Sequence, residues 1–177
     1  MAPSLIFLSL GTHEAPFTRA VDLMMPLAQD GHPVIVQHGY TSVRQDMPNV
    51  TWRQYMPYED VVKTMAGADT VVCHAGVGTI MTALRLGHLP IVIPRLQQYH
   101  EHVDDHQCDI ATRLDERGLV TCLKPGDPVP LTNTLRTLPI GKDAVGAGVE
   151  LRAAVATAVD QSTSMRRSRP IRRLLGG

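Results

Sequence analysis

The 177-residue chain carries 17 basic and 17 acidic side chains for a formal net charge of zero, so charge balance favours no class of partner, and no nucleic-acid partner is expected. Hydrophobic residues make up 44%, as in ordinary globular proteins, and no apolar run is long enough to span a bilayer. Cys73, Cys108 and Cys122 form an odd set without CxxC spacing, which fits reduced thiols in a cytoplasmic protein rather than a disulfide framework.

In chain order, residues 5–10 are a continuous apolar run and predict a first strand of a sheet covered on both faces. That run is too short for a signal peptide core and lacks a basic flank. Gly11, Thr12 and His13 end it, and a helix is expected over 16–29. Gly31 to Pro33 turn the chain into a strand at 34–37, followed by a polar loop over 39–48. A third strand is expected at 50–55, then a helix at 58–66 that Gly67 ends. The β-branched run 70–73 is a fourth buried strand, and helical spacing resumes with Ile80 and Leu84. A fifth strand at 89–94 closes at Pro94 and opens into a polar, histidine-rich loop over 95–104. A helix at 106–117, a short strand at 119–122, a proline-rich connector at 125–130 and two helices near 131–138 and 146–159 complete the pattern. From Ser162 onward arginine, serine, proline and glycine predominate, so residues 161–177 read as a disordered arginine-rich tail after one domain at 1–160. Strands alternating with helices predict an α/β fold, a single Rossmann-like doubly wound parallel sheet.

The junction after the fourth strand is the most informative segment. There His74, Gly76, Gly78 and Thr79 lead a buried strand directly into a helix. A helix start leaves backbone N–H groups unpaired at the positive end of its dipole, which suits phosphate oxygens. Glycines admit a ligand where a Cβ would block it. A nucleotide diphosphate is therefore the first ligand to consider. The full dinucleotide spacing is absent, because position 81 is Met. His74 and His13 stand just after strands, at the carboxyl edge of the sheet, where open α/β folds bind ligands. Either could also be a satisfied structural histidine.

Three segments in order carry a resemblance: residues 10–19, beginning Leu10-Gly-Thr-His13; residues 74–79; and Asp104-Asp-His-Gln107. Over roughly 5–120 the chain resembles the C-terminal, donor-binding half of GT-B glycosyltransferases. It is most similar to the catalytic subunits of split two-component enzymes, of the bacterial exopolysaccharide and capsule type and of the eukaryotic dolichol-linked N-acetylglucosamine transferase. The resemblance implies that Gly11, Thr12 and His13 lie beside the donor diphosphate and that His74, Gly76, Gly78 and Thr79 cradle the diphosphate and ribose. It further implies that Asp105, His106 and Gln107 contact the donor sugar and that uracil lies near 54–57. His13 and His74 would stabilise the leaving group, with the general base expected from a partner. Related enzymes often carry a Glu that binds the ribose hydroxyls, and Thr82 occupies that position here.

The resemblance implies an inverting, UDP-sugar-dependent transfer to a lipid-linked saccharide in exopolysaccharide or glycan assembly, without a metal or other cofactor. A membrane-associated partner subunit would bring the acceptor, and the chain would sit at the cytoplasmic face of the membrane through that partner. A stand-alone transferase on a soluble acceptor and a non-catalytic nucleotide-sugar-binding regulatory subunit are the alternatives. His100, Glu101, His102, Asp104, Asp105 and His106 invite a metal, but Asp104 stands where an HExxH motif needs its second histidine, and a polar, solvated loop is the preferred reading. Cys73 and the methionines 24, 25, 65 and 81 read as core packing. The arginine tail is solvated or attracted to anionic lipid headgroups.

Overall fold

A computed structural model describes residues 3–127 and, beyond them, Ala153, Ala156 and Thr157, which are helical. The connector beyond 127, the helix expected over 131–138, most of that at 146–159 and the arginine tail lie outside the described residues.

The elements are β1 (Ile6–Ser9), α1 (Thr18–Gln29), β2 (Val34–Gln37), β3 (Val50–Arg53), α2 (Tyr58–Gly67), β4 (Thr70–His74), α3 (Val77–Arg85), β5 (Ile91–Ile93), α4 (His106–Glu116) and β6 (Thr121–Cys122), with one 3₁₀ turn at Gln97–Tyr99. The six strands form one sheet in the order β3-β2-β1-β4-β5-β6, every pair parallel. This is the expected doubly wound, Rossmann-like α/β architecture. β1, β3, β5 and β6 are shorter than expected. β3 stops at Arg53, opposite Gln37 at the end of β2. β5 starts only at Ile91, since Pro90 has no N–H to give to a ladder.

Both faces of the sheet are buried, which explains the unbroken apolar runs. Ile6, Leu8, Val34, Val36, Val72, Ile91 and Ile93 pack on the side of α1, against Phe17, Ala20, Val21, Met24 and Leu27. Phe7 and Val71 face the other way, with Met65 of α2 and Ala83 of α3. Cys73 and Val92 continue that side against Ile80, Leu84, Ile110 and Leu114. Cys73, Met24 and Met65 are core residues, as expected.

β1 pairs with β2 on one side and β4 on the other. The chain reverses its direction of winding there, so the loops leaving β1 and β4 diverge and open a crevice at the carboxyl edge. Ser9 and His74 end the two strands at that crevice.

Candidate functional site

A cleft of about 380 Å³ fills this crevice, lined by Ser9, Gly11, Thr12, Gln37, Tyr55, Met56, Tyr58, Val61, His74, Gly78, Thr79 and Thr82. Its floor is the start of α3. Gly76 is the N-cap residue, no side chain caps the helix, and the first helical hydrogen bond runs from Ile80 N–H to Gly76 C=O. The N–H groups of Val77, Gly78 and Thr79 thus have no partner within the helix.

The three glycines have different reasons. Gly78 has open space where a Cβ would be, so its lack of a side chain leaves room for a ligand. Gly76 and Gly11 instead make room for His74. A Cβ on Gly76 would overlap the imidazole at Nε2, and one on Gly11 would lie 2.7 Å from both Cε1 and Nε2. Gly11 also has a φ of +76°, a conformation other L-residues rarely adopt. The imidazole of His74 is held between two turns, and its Nδ1–H donates to the Ser9 carbonyl at 3.3 Å.

Two buried polar residues that the sequence showed only as strand ends support the Gly11 turn. Ser9 Oγ donates to Gln37 Oε1 at 2.9 Å, and Gln37 Nε2 donates to the Gly11 carbonyl at 3.0 Å. A signal was present: Gln37 closes an otherwise apolar strand, and a buried amide must find partners. Tyr55 and Met56, within the segment expected near a base, line the cleft, and Tyr55 meets Tyr40 edge-to-face with centroids 6.2 Å apart. Thr82 lines it too, but its hydroxyl donates to the Gly78 carbonyl at 2.9 Å, so its single proton is committed inside α3.

The structure therefore brings Gly11, Thr12, His74, Gly78, Thr79 and Thr82 to one cleft, with Gly76 behind His74. His13 stands apart from the lining. Its Nδ1 accepts from Ala15 N–H at 3.1 Å, and its ring lies 4.8 Å from that of His102. Asp105, His106 and Gln107 also do not line the cleft. They open α4, where Asp105 Oδ1 accepts from Gln97 N–H and Gln107 Oε1 from Arg95 N–H. The 95–104 loop, expected to be polar and partly solvated, exposes residues 97–100 and buries Arg95 and Glu101. Arg95 was not among the expected site residues. Its guanidinium donates to the carbonyls of Leu10, Ala15 and Glu101 and stacks 4.5 Å above the Phe17 ring.

Electrostatically the site is cationic at its back. Burial pushes the His74 imidazole down to about 4, and the nearby Arg95, His13 and His102 push in the same direction. His13 is lowered too, mainly by burial and then by Arg95. His74 is consequently neutral near pH 7, with Nδ1–H donating and Nε2 an acceptor. It does not supply the standing positive charge that a protonated imidazole would bring. His102 Nδ1 faces Asp104 Oδ1 at 3.2 Å, and His102 precedes α4 while His106 begins it, so the two do not share a helix turn as zinc ligands would. Among the described residues no three His, Cys, Asp or Glu side chains gather to hold a metal, and no helix is long and apolar enough to cross a membrane.

Residues 5–135 match the glycosyltransferase family 28 C-terminal domain. No curated protein matches the chain in sequence. Among solved structures it is similar to the glycotransferase of kitacinnamycin (18% identity, TM-score 0.56), covering 96% of this chain and 44% of that one. It is similar to CalG4, the calicheamicin glycosyltransferase (17%, TM-score 0.56), over 95% of this chain and 43% of that one. The same holds for the glycosyltransferase SnogD from Streptomyces nogalater (17%, TM-score 0.51), over 93% and 43%. The chain thus spans under half the length of each of these three structures.

Proposed function

The chain belongs to the glycosyltransferase family 28 C-terminal domain family, and from that premise we propose that it is the donor-binding and catalytic subunit of an inverting, UDP-sugar-dependent glycosyltransferase of the split type. The observation that carries this reading is that the start of α3, where the Val77, Gly78 and Thr79 N–H groups have no partner within the helix, brings Gly78 and Thr79 into the same cleft as the Gly11–Thr12 turn. Such an arrangement offers donors and a positive dipole end to a diphosphate without a metal.

In the proposed reaction an acceptor hydroxyl attacks the anomeric carbon of the donor. The bond from that carbon to the β-phosphate oxygen breaks, UDP leaves, and a base on the partner takes the hydroxyl proton. This chain holds the diphosphate against the α3 N–H groups, where the negative charge grows as the bond breaks. His74 enters as a neutral imidazole with Nε2 open. An anion against Nε2 favours the imidazolium, so the bound diphosphate would bring a proton to that nitrogen and turn it into a donor. Tyr55 and Met56 would flank the base. Asp105, His106 and Gln107, at the start of α4, would meet the sugar where it leaves the cleft.

The acceptor is proposed to be a lipid-linked saccharide presented by a membrane-associated partner subunit that also covers the donor. Support for a second half comes from length, since the matched structures are more than twice as long as this chain's share of them. Transfer needs water kept from the activated sugar, and one open cleft wall does not do that alone.

A thermal-shift panel of UDP, GDP, dTDP and UDP-sugars, with and without EDTA, tests the donor reading. UDP is expected to stabilise the protein in both conditions. No shift at millimolar UDP, or one abolished by EDTA, refutes it. Sugar transfer to a lipid-linked acceptor is expected to be very slow with the purified chain and restored by co-expressed partner. Robust transfer by the chain alone refutes the split-enzyme reading.

A further inference from the structure

Arg95 is the largest buried side chain of the described residues and is 1% exposed. It follows β5, yet its hydrogen bonds reach into other segments. Nη2 donates to the Leu10 carbonyl at 2.9 Å; Nη1 donates to the Ala15 carbonyl at 2.7 Å and to the Glu101 carbonyl at 3.1 Å. Its own N–H donates to Gln107 Oε1 at 3.1 Å. The side chain thus grips the loop that holds Gly11, Thr12 and His13 on both sides. The main chain of the same residue fixes the amide of Gln107.

A second basic residue closes the link. Arg19, on the first turn of α1, donates from Nε and Nη2 to the two carboxylate oxygens of Glu101 at 3.0 and 2.7 Å, and from Nη2 to the Pro94 carbonyl at 2.7 Å. Glu101 is 4% exposed, and its Oε2 also accepts from Leu96 N–H. Two arginines and one carboxylate therefore join the β1–α1 loop to the β5–α4 loop by charge-assisted hydrogen bonds. Arg95 Nε is buried with no hydrogen-bond partner among the described residues. An unmet buried donor carries a cost, which selection would remove if Arg95 were only filling space.

We infer that Arg95 is a positioning residue which, with Glu101 and Arg19, locks the diphosphate-facing loop to the loop that leads into α4, so that the two move as one body when a donor binds. The inference rests on the proposed donor reading for its functional meaning, but the coupling between the loops stands independently of any ligand.

Amide hydrogen exchange on the full chain tests it. Ala15 and Phe17 N–H are protected by His13 Nδ1 and Thr41 Oγ1 in the first loop, and Leu96 and Gln97 N–H by Glu101 and Asp105 in the second. Arg95→Lys keeps the charge and loses the fork; Glu101→Gln keeps the shape and loses the charge. Each is expected to raise exchange in residues 11–17 and 95–105 together, by about tenfold or more for the loss of one charge-assisted bond, with β1 and β4 unchanged. A rise confined to 95–105 in both variants, or a uniform rise over the whole sheet, overturns the inference. A second arm titrates UDP and a set of UDP-hexoses. Arg95→Lys is expected to keep most of the UDP affinity and to lose the added affinity of whichever UDP-hexose binds wild type more tightly than UDP. Equal losses for UDP and UDP-hexose overturn it. If wild type binds no uridine nucleotide, the donor reading fails while the exchange result still decides the coupling.

Discussion

The turn from His74 into α3 and the loop from Pro94 to Asp105 leave neighbouring strands at the same edge of one sheet, yet they treat their polar groups in opposite ways. The first is short, built of backbone and glycine, and leaves three N–H groups without a partner in the helix, at a turn where Gly78 has open space beside it. The second is long and built of side chains: it buries Arg95 and Glu101 and pairs Glu101 with Arg19 of α1. A surface that keeps donors unpaired is prepared for a ligand. A loop that satisfies itself is prepared to hold a shape. The difference teaches that within one cleft the contact surface and the framework are separate, and that substitutions in them should separate stability from binding.

The largest stability effect is expected in the framework. Glu101→Ala leaves the Leu96 N–H and Arg19 Nε without their acceptor, leaves Arg19 Nη2 with the Pro94 carbonyl alone, and removes the carboxylate beside Arg95. Breaking a buried charge pair on one side costs roughly 3–5 kcal/mol, a large share of a domain's stability of about 5–15 kcal/mol. Urea denaturation monitored by circular dichroism measures it, with exposed Glu14→Ala as the control. A loss no greater than the control would dissolve the contrast between the two loops.

Next comes the protonation of His74. Its ordinary value is 6.5, and burial lowers it to about 4 in the folded chain. Between those values the unfolded chain binds the proton and the folded chain does not. The contribution is therefore fully present above pH 6.5 and lost as pH falls toward 4, amounting to about 3 kcal/mol at the outside. Denaturation midpoints of wild type and His74→Gln should converge over that window. Parallel curves from pH 7 to 4 would mean that the imidazole is not held neutral between the two glycine turns.

Gly76→Ala sharpens the comparison from the other side. The new methyl meets the His74 ring, and the ring has Gly11 behind it, so it cannot simply withdraw. Overpacking of this kind costs about 1–3 kcal/mol. Loss of UDP stabilisation should accompany it, because the ring and the helix start shift together. A variant as stable as wild type would show that the ring swings clear.

The turn was legible in the sequence because everything that makes it is local. A β-branched run, a histidine and two glycines lie within ten residues, and the physics of a helix start does not depend on distant partners. The sheet was legible for a similar reason, since parallel strands buried on both faces show as unbroken apolar runs. The framework was not. Arg95 bonds to residues 80 and 85 positions away, and Arg19 and Glu101 are 82 apart. A polar string such as 95–104 looks solvated until those partners are known. The two glycines also look alike in the sequence, yet a Cβ on Gly76 would meet the His74 ring whereas one on Gly78 would meet nothing within 4 Å. Thr82 stands where related enzymes carry a ribose-binding Glu, and its hydroxyl donates to the carbonyl four residues back in its own helix, a bond that the residue's position in the sequence does not announce.

Gly78→Val carries the smallest stability effect and the clearest separation. Position 78 lies in the first turn of α3, where a Cβ meets nothing within 4 Å and the side chain faces the cleft. No buried contact is lost, no ring is displaced, and valine is a slightly better helix residue than glycine, so the change should stay within about 0.5 kcal/mol. Binding is another matter. The two γ-methyl groups take up cleft space beside the Gly78 and Thr79 N–H groups. UDP at about 100 times its wild-type dissociation constant adds about 2.7 kcal/mol to a protein that binds it. Wild type should show that increment by thermal shift, and Gly78→Val should show none while melting at the same temperature without ligand. A variant that melts much earlier places position 78 in the framework after all. A variant that keeps the UDP increment removes the helix start from the binding surface.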